Sequence, residues 1–252
     1  MLTSFKKHKR AAAIVCAASL GLILVAIALQ AAASHAPEFY AAALAADPLH
    51  ERASSDAMLE NATALVNVSH RDGPWYAVVT EEQINGWLAV DLVENYAELL
   101  PPTVADPRVH IEPGCATIAC SYQSAALSAV MSVKFDVYLA EPRVVALRIR
   151  AARAGALPMP IKPIVDHIVR TAERLNLFVQ WRQADGDPVA LITLPAAPSK
   201  AAYRLESVKL REGQLYLAGR TEGLSSPDGP TPSVTTPQPD VATLPDESRK
   251  TQ

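Results

Sequence analysis

The chain has 252 residues, which is enough for one domain of ordinary size with tails, and half of them are apolar. Its formal net charge of −3 argues against a nucleic-acid partner, because such proteins need a basic surface. Three cysteines are too few for a disulfide scaffold, and they lack the paired spacing of a zinc site.

The amino terminus indicates a membrane anchor. A basic segment, residues 1–10, precedes an uncharged run over residues 11–34 that is long enough to cross a bilayer, since about 20 helical residues suffice. Positive charge before the run places residues 1–10 in the cytoplasm and the rest of the chain outside, in the periplasm or at the cell surface. The sequence therefore predicts a single-pass membrane protein with the lipid bilayer as a partner. A cleaved signal peptide is the alternative, because Ala31–Ala33 offers an A-x-A site.

Residues 35–72 are predicted to form a juxtamembrane helical segment that docks on the domain. Apolar residues recur at three- and four-residue intervals from Pro48 to Val68, which favours a helix. An extracytoplasmic α+β domain is expected over residues 73–223, and it begins with the β-prone run "WYAVV".

The stretch "TEEQINGWLAVDLVENY" predicts a capped amphipathic helix. Thr80 is a candidate N-cap, and Gln83 stands at the capping-box position. Trp87 and Leu88 belong to the apolar stripe. Asn85 is a mediocre helix former, so its side chain is expected to bond a neighbouring loop or strand, or else to contact a ligand or partner.

Strands are predicted from residue 109 onward, where the hydrophobic period changes to two. The clearest is "LSAVMSVKFDVYL", in which Met131 and Phe135 share the apolar face. "RVVALRIR" repeats the pattern after a turn at Glu141-Pro142, so the two runs predict half-buried antiparallel strands. Further hairpins are expected at Asp185-Gly186 and Glu212-Gly213.

Cys115 and Cys120 are a possible disulfide in the predicted oxidising compartment. In one extended strand they would face opposite sides about 16–17 Å apart, too far to bridge. A disulfide therefore requires a bend between them, for which the nearby Pro113-Gly114 is suggestive. Two separate buried thiols are the alternative.

A second amphipathic helix is predicted over residues 161–175, with Ile164 and Ile168 in its apolar stripe. Residues 224–252 are rich in Pro, Ser and Thr without periodicity, so a disordered tail is expected there. The predicted fold class is thus α+β: a transmembrane helix, then a curved antiparallel sheet packed against two or three amphipathic helices.

No catalytic pattern stands out. The sequence lacks H-E-x-x-H, G-x-S-x-G, a P-loop and G-x-G-x-x-G. Asp185 and Asp187 have the composition of a solvated turn rather than of paired catalytic carboxylates. We therefore expect a protein that is not an enzyme, without catalytic residues, metal or cofactor.

Three weak motifs occur in a suggestive order. They are the T-x-E-Q-[LI]-N-x-x-[LI] helix at Thr80–Leu88, the G-x-L-P-x-P step at Gly155–Pro160, and a closing V-x-L-x-x-G-x-L-x-L-x-G hairpin at Val208–Gly219. Together the chain resembles the YpmS-like family of single-pass membrane proteins, and more loosely it is similar to envelope lipid-binding proteins with a bent sheet. It departs from that family by a longer segment before Thr80 and by its Pro-rich tail.

The resemblance implies an elongated, curved sheet against one or two helices, with an apolar groove between them. We expect this groove to hold a lipid or another apolar ligand, unless the apolar faces simply bury each other. The alternative function is an envelope scaffold that recruits other envelope proteins through its surface or its tail. The expected groove residues are Asn85, Trp87, Leu88, Met131, Phe135, Ile164 and Ile168.

Overall fold

The computed structural model describes residues 22–125, 128–162, 165–166, 169–170, 178–194 and 202–223. The helices whose residues are all described are α1 (Leu22–Ala33), α2 (Glu38–Leu44), α3 (Pro48–Ser69), α4 (Glu81–Ala89) and α5 (Asp91–Asn95), with a 3-10 turn at Ala97–Leu99. The strands are β1 (Gly73–Thr80), β2 (Val104–Glu112), β3 (Cys115–Gln123), β4 (Ser128–Glu141), β5 (Val144–Ala154), β6 (Leu157–Pro158), β7 (Val179–Ala184), β8 (Asp187–Thr193), β9 (Ala202–Arg211) and β10 (Gln214–Glu222).

The strands form two antiparallel sheets. The smaller sheet has the order β1-β10-β9, and the larger has the order β2-β3-β4-β5-β8-β7 with β6 paired to the end of β5. The predicted α+β class with a large antiparallel sheet and several helices is therefore confirmed. The closing hairpin does not extend the large sheet, because β1, far earlier in the chain, pairs with β10 along all eight of its residues.

The long strand β4 puts Met131 and Phe135 on one face as predicted, although Ser132 on the opposite face is only 8% exposed. Its apolar face meets the small sheet, where Phe135, Val137 and Leu139 pack in the core. Register shifts beside Lys134/Phe135 and Leu139/Glu141 mark bulges in the β4–β5 ladder. Bulges of this kind bend and twist the strands that carry them.

Two apolar clusters make up the core between the sheets and helix α4. The first contains Leu88, Leu92, Val109, Ile111, Ala116 and Leu210; the second contains Trp75, Leu205 and Val208. Val137 and Leu215 pack against both clusters, so the two are parts of one continuous core.

Helices α2 and α3 are integral to this domain. Tyr40 of α2 is 1% exposed and donates a hydrogen bond to the Asp106 carbonyl. Burial raises the pKa of the Tyr40 hydroxyl. Near the start of α3, Glu51 accepts from the buried Arg108 of β2 at 2.8 Å. The helix predicted over Pro48–Val68 is confirmed, and it docks on the domain as expected.

Several predictions fall on residues outside the described ones. They concern residues 1–21, the tail 224–252, and Ile164 and Ile168. Within the predicted helix 161–175, the described Lys162, Val165, Asp166, Val169 and Arg170 are helical.

Within the described residues, no single helix combines the length and the apolar composition needed to cross a membrane. Helices α1 and α2 meet that requirement only when taken together, and they are bent by 65° relative to each other.

Candidate functional site

Helix α4 begins with the predicted capping box. The Gln83 amide donates to Thr80 Oγ1 at 3.2 Å, and the Thr80 amide donates to Gln83 Oε1 at 3.1 Å. This reciprocal pair satisfies two amides that would otherwise lack a partner at the helix start. The capping box therefore fixes where α4 begins relative to β1.

Asn85 and Glu81 close the outer edge of β2. Asn85 donates to the Val109 carbonyl at 2.9 Å and accepts from the Val109 amide at 2.7 Å. One turn earlier, Glu81 accepts from the Ile111 amide at 2.7 Å. Helix positions i and i+4 and strand positions i and i+2 are both about 6–7 Å apart, so the two side chains match alternate strand residues. The helix thus takes the place of a neighbouring strand.

Glu81 also faces His110, which stacks on Phe39 of helix α2. The Glu81 carboxylate lies 3.2 Å from His110 Nδ1, and the two ring centroids are 5.1 Å apart. This arrangement resembles the base-and-orienter pair of hydrolases, but such a site also needs a nucleophile within hydrogen-bond reach. The residue opposite His110 on β3 is Thr117. We interpret the pair as a clamp that joins α2, α4 and β2.

Gly86 explains the close contact between α3 and α4. A Cβ at this position would lie 2.7 Å from the Glu51 carbonyl oxygen and from Ser54 Cβ. Only glycine permits that approach. Together with Asn85, Glu81 and the capping box, it accounts for most of the polar and small residues of the "TEEQING" stretch through packing or hydrogen bonding.

The expected groove residues separate into three groups. Trp87, Leu88 and Phe135 come together, but in the packed core, where Leu88 is 9% exposed. Asn85 lies beside them, with its amide bonded to Val109. Met131 lies further along β4, between Cys120 and Ala154. Ile164 and Ile168 are outside the described residues. The described part of the predicted groove is therefore largely filled by its own side chains.

A second stretch of the same sheet face lies beyond these clusters. Met131 and Val133 of β4 are half-buried, and Ile118 of β3, which pairs with Val133, is 38% exposed. This apolar strip continues the Phe135 face towards the start of β4.

The disulfide is a wrong prediction, because Cys115 and Cys120 are both free thiols. They lie in one uninterrupted strand, β3, and the bend at Pro113-Gly114 precedes both of them. Burial raises the pKa of the Cys120 thiol to about 11. Burial is also the main cause that raises the pKa of Cys115, which lies 3.6 Å from Glu112. The alternative of two separate thiols describes the structure.

Charged side chains form pairs on the outer face of the large sheet. Lys134 contacts Glu112 at 2.7 Å, and Arg148 contacts Asp187 at 2.8 Å. Arg150 joins Asp187 to Asp136 on β4. Hydrogen bonds from Arg148 and Arg150 lower the pKa of Asp187, and a hydrogen bond from Lys134 lowers that of Glu112. Carboxylates held ionised in this way suit a structural ladder rather than proton transfer.

Sequence reasoning missed how α1 docks on the sheet. Gln30 donates to the Ser128 carbonyl at 2.6 Å, and the Ala156 amide donates to the Ala32 carbonyl at 2.9 Å. Gly155 has a φ of +56°, and a Cβ there would lie 2.1 Å from the Ala32 oxygen. The signals in the sequence were the small residues before Ser34 and the glycine that opens G-x-L-P-x-P.

The last described residue lies at the other end of the domain. Helix α3 begins on the side where α1 docks, beside Arg108, and its 22 residues give it a length of about 33 Å. At its far end the Ser69 carbonyl accepts from Thr221 at 2.7 Å. Gly223 follows, so close to Asp72 that a Cβ on it would meet the carboxylate. Gly223 therefore lies at the end of the domain opposite α1.

Comparison with family models, with curated proteins and with solved structures gives no match. The resemblance to the YpmS-like family therefore stays a prediction. No group of three His, Cys, Asp or Glu side chains in the described part of the chain could hold a metal ion.

Proposed function

We propose that the chain is a membrane-anchored, extracytoplasmic scaffold that is not an enzyme. Helix α1 holds one end of the domain on the bilayer, and the opposite end presents residues 224–252 to partner proteins of the envelope. The observation that carries the proposal is the placement of the α1 docking site and of Gly223 at opposite ends of α3.

The side chains of α1 support the anchoring step. Leu22 is 73% exposed, and the other large apolar residues of α1 are each more than half exposed: Ile23, Leu24, Val25, Ile27 and Leu29. A water-facing helix carries polar residues on its exposed side, whereas a lipid-facing helix is apolar all round. The exposed apolar side chains of α1 therefore suit a lipid environment.

The docking contacts support a fixed orientation. The Gln30–Ser128 and Ala156–Ala32 hydrogen bonds hold the end of α1 against the start of β4 and the turn after β5. A helix joined to the domain through a flexible linker would transmit no orientation. Here the Gln30 side chain and the Ala32 carbonyl of α1 bond backbone groups of the domain, so the domain follows the anchor.

Energy transfer to labelled lipid tests this geometry. The full chain, with its three cysteines replaced by alanine, receives a donor dye at Ser34→Cys or at Glu222→Cys and is reconstituted into vesicles with acceptor lipids. We expect strong quenching at position 34 and weak quenching at position 222. Equal quenching at both positions would exclude the end-on arrangement, and release of the chain by alkaline carbonate would exclude the anchor.

A second candidate function is shelter of an acyl chain on the strip of Ile118, Met131 and Val133. The observation that favours it is the partial exposure of these side chains on the face that runs towards the α1 docking site. Native mass spectrometry of the full chain, released from nanodiscs, should then show one retained lipid, and Val133→Asp should abolish it. Equal lipid retention by Val133→Asp and by the outer-face control Ser207→Asp would rule the strip out.

A further inference from the structure

The end of the large sheet around the α1 docking site is made of uncharged residues, most of them small. They come from three separate segments: the end of α1, the β3–β4 connection, and the turn after β5. The described residues of this rim, 30–34, 123–125, 128 and 154–157, include no Asp, Glu, Lys or Arg. Elsewhere the same sheet carries paired charges, such as Glu112–Lys134 and Arg148–Asp187.

Arg153 is an exposed cation beside this rim. It precedes Gly155 by two residues, and it pairs with Ser132 on one side and Pro158 on the other. Two residues of a strand span about 7 Å. The Arg153 guanidinium is therefore within reach of a lipid layer that contacts the rim. A guanidinium matches phosphate oxygens with its planar fork of donors.

From these observations we infer that the rim seats on the phospholipid headgroups and that Arg153 contacts lipid phosphate. The inference rests on the proposed anchoring through α1 and adds a defined contact surface to it. Uncharged small residues reach the headgroup layer without stripping water from a charge, which would be costly. Arg153 lies just beyond these residues, two positions before Gly155, where anionic headgroups attract its guanidinium.

Photocrosslinking in nanodiscs tests the seating. The full chain carries p-benzoylphenylalanine at Ala156, and a matched chain carries it at Glu141, which is exposed in the hairpin at the other end of β4. After illumination in discs of phosphatidylcholine and phosphatidylglycerol, we expect lipid adducts at position 156 at least ten times more often than at position 141. Equal yields from chains that have entered the discs would overturn the inference while leaving the anchor intact. A chain that fails to enter the discs contradicts the anchor instead.

Arg153→Gln tests the phosphate contact, with the exposed Arg204→Gln of the small sheet as its control. Arg153→Gln should lower the ratio of phosphatidylglycerol to phosphatidylcholine adducts at position 156 about two- to five-fold, the effect of one basic residue at an anionic surface. Arg204→Gln should leave the ratio unchanged. The same ratio in both variants would show that Arg153 does not contact the headgroups.

Discussion

At the scale of single residues, Asn85 shows how a polar side chain serves a sheet. Its amide group has the same pair of donor and acceptor as a peptide unit, and it uses both on Val109. A buried strand edge without a partner would leave those backbone groups unsatisfied. Asn85 therefore has a structural function, and we assign it no ligand.

Replacing Asn85 by alanine should destabilise the domain by about 2–3 kcal/mol, because both hydrogen bonds to Val109 are lost and its backbone is left without a protein partner. Thermal unfolding of the full chain in detergent, followed by tryptophan fluorescence, measures the change. Asn95→Ala is the control, because Asn95 donates an exposed hydrogen bond to the Asp91 carboxylate. Equal effects of the two substitutions would contradict the role of Asn85 in closing the edge.

The two β3 thiols should behave as free and poorly reactive cysteines. Thiolate is the nucleophile, and a pKa of about 11 leaves almost none of the Cys120 thiol ionised at neutral pH. We expect iodoacetamide at pH 7.5 to modify native Cys120 more slowly than the less buried Cys115, and both to react at once after denaturation. A Cys115–Cys120 disulfide in the non-reduced peptide map would contradict this.

At the scale of elements, Gly155 is the point on which the docking of α1 depends. Gly155→Ala should separate α1 from the sheet, because the new methyl group would overlap the Ala32 carbonyl. Hydrogen exchange of the Ala156 amide, which bonds Ala32, should then rise at least ten-fold.

The matched control is Gly213→Ala. Gly213 has a φ of +62°, close to that of Gly155, but a Cβ there meets nothing within 4 Å. Both variants carry the strain of a left-handed alanine, and only Gly155→Ala carries the clash. Unchanged exchange at Ala156 in Gly155→Ala would show that the docking does not need glycine.

The ion pairs between strands β5 and β8 should make stability depend on pH in acid. The pKa of Asp187 is lowered from 3.8 in the folded chain, so its pairing stabilises fully above the pKa of the unfolded chain. That contribution is lost as the pH falls through the folded value. Between pH 5.5 and pH 3, Asp187→Asn should therefore show a smaller fall in unfolding temperature than the parent chain. The exposed Asp56→Asn should follow the parent, and an identical fall in all three chains would refute the pairing.

The elements most predictable from sequence were those with a local cause. Thr80 and Gln83 define a helix start within four residues, and Asp185-Gly186 and Glu212-Gly213 define turns by their backbone freedom.

Strand pairing was less accessible, since β1 pairs with β10 from a distant part of the chain. Asn85 was expected to bond a neighbouring loop or strand, or else a ligand, but its partner Val109 could not be known without the fold. The disulfide failed because it required a bend between the two cysteines, and the bend at Pro113-Gly114 precedes both of them.

At the scale of the whole molecule, the helices extend from one end of the domain to the other. Helix α1 docks at one end of the large sheet, α2 and the start of α3 cover β2, and α3 continues to the small sheet. The segment predicted as a juxtamembrane lead is therefore what connects α1, the proposed anchor, to the farthest strands. A scaffold requires such continuity, since it must hold two attachment points at a constant separation.

That continuity predicts a single cooperative unfolding transition. Val137 and Leu215 pack against both apolar clusters, so neither sheet can lose its core while the other keeps it. Trp75 reports on the small sheet and Trp181, on β7, reports on the large one. With Trp87 replaced by phenylalanine, the signals from single-tryptophan variants should give coincident denaturation curves.

Val137→Ala should move both curves together by about 1–3 kcal/mol, because deletion of buried methyl groups weakens a core that the two sheets share. The matched control is Val93→Ala on helix α5, where the side chain is 48% exposed and should cost less than about 0.5 kcal/mol. Separate transitions, or a shift of the Trp181 curve alone, would mean that the sheets fold independently. The anchored end could then not hold the far end in place, because the connection between them would open on its own.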